Sequence, residues 1–166
     1  FVLAGLQHLA DVEVTVVDFP GKRLDRASRL GAHRTITPSD DLGADIVEAL
    51  GGKKPDVVIE ASGAPGQLVS ALTMVADGGR VLAVGIPKEK PELDVHSLVF
   101  REITLETTLA HVCDTDLPAA LDILNTGPLG GELAETPVGL AALPAELDRL
   151  STGKVEGKVL VDPAIR

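Results

Sequence analysis

The chain has a single cysteine, Cys113, in 166 residues. That count excludes a disulfide framework and a four-cysteine zinc site within it. Basic residues are outnumbered, 15 Lys and Arg against 25 Asp and Glu, for a formal net charge of −10. A surface for nucleic acid or an anionic membrane demands a basic patch, so neither partner is expected. Long apolar runs are missing too, and none approaches the roughly 18 residues of a membrane span. Aromatic residues are scarce, with three Phe and no Trp or Tyr. What remains is 45% hydrophobic and 24% charged, the balance of a globular chain rather than a disordered one. Its length is that of one ordinary domain, able to bury about two-thirds of the surface its unfolded form exposes. The chain opens on Phe1 in mid-pattern, without a charged leader and cleavage site. It is therefore expected to be cut from something longer.

Strand and helix signals alternate along most of the sequence. Residues 1–10 read as a helix with a broad apolar side. Val12 to Val17 is a β-branched run ending at Asp18, expected to be buried on both faces at its end. After Phe19-Pro20-Gly21, a helix follows from Lys22 to Leu30 and stops at Gly31. A short strand at Arg34–Thr37 precedes a helix capped by Ser39, Asp40 and Asp41 and ending at Leu50. Asp56–Glu60 is the next strand, then a turn through Ala61-Ser62-Gly63 and a helix to about Ala76. Arg80–Gly85 is another strand, followed by a short helix around Asp94–Phe100. Ile103–Leu109 alternates apolar and polar residues with period two, as a half-exposed edge strand does.

Such alternation predicts βαβ units and a parallel sheet, hence an α/β, Rossmann-like doubly wound fold. From Asp114 the pattern changes to two helices, about Asp116–Thr126 and Pro144–Thr152, joined by a Gly/Pro-rich link at Gly127–Gly131. A terminal strand, Gly157–Val161, closes the chain. The expected division is 1–113 for the parallel α/β part and 114–166 for the returning segment.

Asp18 is the first residue that speaks of chemistry. In a dinucleotide-binding fold, a carboxylate ending the second strand accepts hydrogen bonds from the adenosine ribose and repels the extra phosphate of the phosphorylated cofactor. On position alone, an Asp that merely makes a turn is an equally good account. The context favours the first: helix, strand, acid and helix form the second half of a mononucleotide-binding unit. The first strand and its glycine-rich turn would then lie upstream of Phe1.

Five segments, in order, resemble the zinc-dependent medium-chain alcohol and polyol dehydrogenases. They are Val14–Asp18 with Arg23 and Leu30-Gly31-Ala32; Asp56–Gly63; Gly78–Gly85; Arg101–Leu105; and Gly157–Val161. The resemblance covers nearly the whole chain and implies a cofactor-binding portion for NAD. It places Asp18 on the adenosine ribose with Arg23 beside the adenine or ribose, although Arg23 also suits a solvated helix. Ala61, Ser62 and Gly63 would line the adenosine side of the crevice, and Val84, Gly85 and Ile86 would lie near the nicotinamide. Thr108 and Ala110 would offer backbone contacts to the carboxamide. Lys158 would face the pyrophosphate, although a lysine on a terminal strand is more often plain surface. Thr107 stands where the family often has Gly.

The family's zinc ligands, proton relay and most of its substrate pocket belong to an N-terminal domain that this sequence does not contain. His111 and Cys113 form the one close pair of metal-type residues, and a strand end explains them more simply than a partial metal site or reactive thiol. No catalytic residue and no metal ligand is assigned. The resemblance implies a cytoplasmic parent enzyme, homodimeric or homotetrameric, acting on an alcohol or polyol, with the isolated chain inactive. Alternatives are a zinc-free quinone or enoyl reductase of the same superfamily and a non-catalytic nucleotide-sensing Rossmann domain. The reductases commonly prefer the phosphorylated cofactor, against which Asp18 speaks. A methyltransferase would also place an acid after its second strand, but would add an antiparallel strand pair not found here. A missing first strand would leave a gap in the centre of the 3-2-1-4-5-6 strand order and expose two strand edges.

Overall fold

The computed structural model describes every residue except Ala110, His111, Ala134, Glu135, Gly153, Lys154, Glu156 and Arg166. In chain order the elements are α1 (Val2–Leu9), β1 (Thr15–Val17), α2 (Lys22–Arg29), β2 (Arg34–Ile36), α3 (Leu42–Ala49), β3 (Val57–Glu60) and α4 (Gln67–Met74). They continue with β4 (Arg80–Ala83), α5 (Val95–Phe100), β5 (Thr104–Thr107), α6 (Cys113–Thr126), α7 (Leu129–Leu133) and α8 (Leu143–Ser151). Two compact units result, one of Phe1–Thr37 with Val112–Arg166, the other of Pro38–His111.

Each unit carries its own parallel sheet. In the first, β1 pairs with β2, Val16 opposite Thr35. In the second, the order is β3-β4-β5, with Ile59 opposite Leu82 and Leu82 opposite Glu106. Parallel pairing of successive strands joined by helices, within each unit, is the arrangement of a Rossmann-like doubly wound fold.

The second unit's core explains why its strands are the better formed. Ala71, Leu72 and Val75, from α4 and the residue after it, bury against Val81 of β4. Val58, Leu68, Leu93, Leu98, Ile103 and Leu105 pack around them. Helices α3 and α5 each start with an Asp cap. Asp41 accepts from the Ala44 amide at 3.0 Å, and Asp94 from the Ser97 amide at 3.0 Å, each satisfying an amide the helix leaves open.

Several boundaries differ from the sequence expectation. β1 holds only Thr15–Val17, half-buried throughout, because its partner β2 is itself three residues long. Upstream, the Val14 carbonyl accepts from the His33 and Arg34 amides instead of continuing the ladder. The Gly/Pro link expected at 127–131 contains a helix, α7, whose Leu129 is 4% exposed. The terminal run is not part of a named strand among the described residues. Val161 forms a parallel bridge to Val138, flanked by Val138 N–H to Leu160 O at 3.0 Å and Asp162 N–H to Val138 O at 2.9 Å.

Candidate functional site

In the first unit, Asp18 follows β1 directly, at its carboxyl end, and its amide donates to Ile36 O at 3.3 Å. Its side chain is about one-third exposed. Oδ1 accepts from the Phe19 amide at 2.8 Å and lies 3.6 Å from Nη1 of Arg23, in the first turn of α2. Asp18 and Arg23, two of the residues that the resemblance assigns to the adenosine end, are therefore an ion pair. Lys158 lies in the same unit, its Nζ 5.3 Å from the centroid of the Phe1 ring at the start of α1. A lysine beside a helix N-terminus adds positive charge where the helix dipole is already positive. Lys158 also donates its amide to Leu133 O at 2.8 Å.

In the second unit, the expected residues follow three neighbouring strand ends. Ala61, Ser62 and Gly63 come after β3, Val84, Gly85 and Ile86 after β4, and Thr108 after β5. The first two turns interlock. Val84 and Gly85 amides both donate to Glu60 O, at 2.8 and 2.9 Å, and the Thr108 amide reaches Ala83 O at 3.3 Å. Gly63 sits at φ +63°, and a Cβ there would overlap the backbone of Ile86. Likewise a Cβ on Gly85 would overlap Gly63 and meet Glu60 Oε2. Both glycines are required by this approach of two backbones. Beyond it Ile86 is 74% exposed, an apolar side chain held out at the strand ends. Thr107 and Thr108 are exposed as well, and Ala110 lies outside the described residues.

Sequence reasoning gave Glu60 no role, yet it is the most connected side chain here. It is 7% exposed, and Oε1 accepts from the Ser62 amide at 2.8 Å, the Ser62 hydroxyl at 2.5 Å and the Gly63 amide at 3.0 Å. Ser62 Oγ in turn accepts from the Ala64 amide at 3.1 Å. The serine hydroxyl thus faces inward, and Ser62 presents backbone rather than hydroxyl to the strand ends. The signal for Glu60 was an acid as last strand residue before Ala-Ser-Gly.

A hollow of about 420 Å3, lined by residues including Gln7, His8, Asp11 and His33, lies near the end of α1. His8 Nε2 there pairs with Asp122 at 2.9 Å, and His33 Nδ1 accepts from the Val14 amide at 3.1 Å. Among the described residues, no group of three or more His, Cys, Asp or Glu side chains could hold a metal ion. The described residues thus do not fit a zinc site, and no chemical step is derived through zinc. No helix among them is long and apolar enough to cross a membrane.

Parallel strands flanked by helices, with Asp18 after β1 in one unit and small residues after β3 and β4 in the other, define a Rossmann-like α/β protein. Comparison with known proteins narrows the class. The model of the zinc-binding dehydrogenase family matches residues 2–126, and the chain belongs to that family. It is 30% identical over 101 residues to the L-threonine 3-dehydrogenase of Pectobacterium carotovorum, covering 60% of this chain and 29% of that protein. The apo form of a zinc-dependent alcohol dehydrogenase 2 from Streptococcus pneumonia superposes with a TM-score of 0.84 at 24% identity, over 99% of this chain and 48% of that one. A structure described as a short chain alcohol dehydrogenase from E. coli CFT073, complexed with NADH, superposes with a TM-score of 0.78 at 21% identity, over 90% of this chain and 44% of that one. The chain thus spans about half the length of these solved structures, and the matched stretch about a third of the curated relative.

Proposed function

We propose that this chain is the NAD-binding part of a zinc-type alcohol or polyol dehydrogenase, and that it places the nicotinamide for hydride transfer. The observation that carries this reading is the set of residues at the strand ends: a half-buried acid after β1, and interlocked glycine turns after β3 and β4. Asp18 accepts from the ribose hydroxyls and disfavours a cofactor carrying a further phosphate. Arg23, already paired with Asp18, holds that carboxylate in place. Lys158 and the N-terminus of α1 attract the pyrophosphate. From the second unit, Ala61, Ser62 and Gly63 offer a small-residue surface to the adenosine side. The backbone of Val84, Gly85, Ile86, Thr108 and Ala110 serves the nicotinamide end, with the Ile86 side chain against the ring. When bound, the nicotinamide accepts or returns a hydride at an alcohol carbon.

The division into a cofactor part, 1–113, and a returning segment, 114–166, belongs to this proposal. So do a cytoplasmic location and zinc ligands carried by another domain of the parent. Among the described residues β5 pairs with β4 alone, and its exposed Thr104, Glu106 and Thr107 support pairing across the other edge in a homodimer or homotetramer. The test is an assay of nicotinamide reduction by the full-length protein with a panel of secondary alcohols and polyols. Turnover with NAD, lost on chelation of metal and absent from residues 1–166 alone, is the expected result. Metal-dependent turnover by residues 1–166, or no nicotinamide-dependent oxidation by the full-length protein, would overturn it.

A further inference from the structure

Glu60 is a buried carboxylate that the proposed function leaves unused. It is the only polar or charged residue among the fully buried ones described, at 7% exposure. Taking a carboxylate out of water is costly unless hydrogen bonds replace the lost hydration. Here they do, and all of them are accepted. Oε1 takes the Ser62 amide, the Ser62 hydroxyl and the Gly63 amide, and Oε2 lies 3.3 Å from the same Gly63 amide. The main chain of Glu60 serves the other turn, its carbonyl accepting the Val84 and Gly85 amides at 2.8 and 2.9 Å.

One residue thereby fixes both turns. Its side chain folds Ala61–Gly63 back onto β3, and its carbonyl holds Val84–Gly85 of the neighbouring strand end. The turns then meet where neither Gly63 nor Gly85 has room for a Cβ. A second consequence concerns the ligand. Backbone amides in a turn attract phosphate, but the Ser62 and Gly63 amides are already occupied by Glu60. This turn therefore presents small, neutral groups, suited to an uncharged part of a nucleotide and unsuited to its phosphates.

We infer that Glu60 is a positioning residue: from beneath the surface, it sets the spacing of the turns after β3 and β4 and so the seat of the nicotinamide, without touching the cofactor. The inference rests on the dinucleotide reading above. It is tested in the full-length protein with Glu60→Gln, Glu60→Asp and Glu60→Ala, using NADH fluorescence titration and kcat per NADH-binding site. Gln keeps the volume but sets an NH2 donor among donors, and Asp is one methylene short. Misplacing a reacting group by about an ångström costs on the order of a hundredfold in rate. Glu60→Gln and Glu60→Asp are therefore expected to lower kcat per site by roughly tenfold to a hundredfold. A merely structural role would lower the number of NADH-binding sites and leave kcat per site unchanged, and that result in the folded Gln and Asp variants would overturn the inference. Should Glu60→Ala fail to fold, the Gln and Asp variants decide. If the unsubstituted protein does not bind NADH, the dinucleotide reading itself fails and the inference with it.

Discussion

Asp18 and Arg23 form an ion pair, Oδ1 to Nη1 at 3.6 Å, with the carboxylate about one-third and the guanidinium about one-half exposed. The same Oδ1 accepts the Phe19 amide at 2.8 Å. In the proposed function, the pair sets cofactor choice: the carboxylate engages the ribose, and the arginine is held in check. A hydrogen bond to a charged group contributes about 1.5–3 kcal/mol. Asp18→Ser is therefore expected to weaken NADH binding by about tenfold or more. It also frees Arg23 to meet a 2′-phosphate, so NADPH binding should strengthen. Adding Arg23→Ala should remove that gain. Titrations of both cofactors check this, and an unchanged NADH to NADPH ratio in Asp18→Ser would contradict it.

The glycines of the interlocked turns differ sharply from a helical one. Gly63→Ala forces an L residue to φ +63° and drives a methyl into Ile86 backbone. The backbone conformation alone costs about 1–3 kcal/mol. Gly5, inside α1, has nothing within 4 Å of a built Cβ. Gly5→Ala is expected to stabilise by about 0.5–1 kcal/mol. Urea midpoints of the two variants should therefore move in opposite directions.

Arg101 clasps the end of α4. Its Nη1 donates to Leu72 O at 2.9 Å, Nη2 donates to Val75 O, and Nε donates to Asp77 Oδ1 at 2.7 Å. The hydrogen bond from Arg101 holds the Asp77 carboxyl below the usual carboxylate range. A depressed folded value means the pair's stabilisation is present above the ordinary carboxylate range. It is lost as pH falls through the depressed value. Arg101→Ala should destabilise at neutral pH and narrow the gap to the unsubstituted protein as the medium is acidified. Unfolding curves that stay equally far apart down to strongly acid pH would contradict this.

What was legible in the sequence was whatever depends on neighbours in sequence. The β-branched run before Asp18, the Gly31 stop and the cap offered by Ser39, Asp40 and Asp41 are local signals, and the elements follow them, with Asp41 as the cap. α7 was not legible. Gly130 and Gly131 argue against a helix, and it is held by Leu129 burial and by Glu132. That carboxylate accepts Arg29 Nε and Nη2, each at 2.7 Å, from 103 residues away. Glu60 was missed for a related reason. An acid ending a strand reads as solvent-facing until the turn after it is seen to fold back over the carboxylate.

The Arg29–Glu132 pair gives a prediction of its own. Arg29 holds the Glu132 carboxyl below its ordinary value. α7 also supplies Leu133 O, which accepts the Lys158 amide. Glu132→Ala should fray α7 and speed hydrogen exchange at the Lys158 amide, leaving exchange at Val81 in the other unit unchanged. Equal exchange at Lys158 in both proteins would contradict the assignment of α7 to this pair.

The central claim is that the strand ends hold NAD, with Asp18 on its ribose. The most direct test is equilibrium titration of the unsubstituted full-length protein with NADH and with NADPH at the same ionic strength. The account predicts saturable NADH binding at least tenfold tighter than NADPH, the size of about one charged hydrogen bond. Equal or tighter binding of NADPH, or no binding of either, would contradict it.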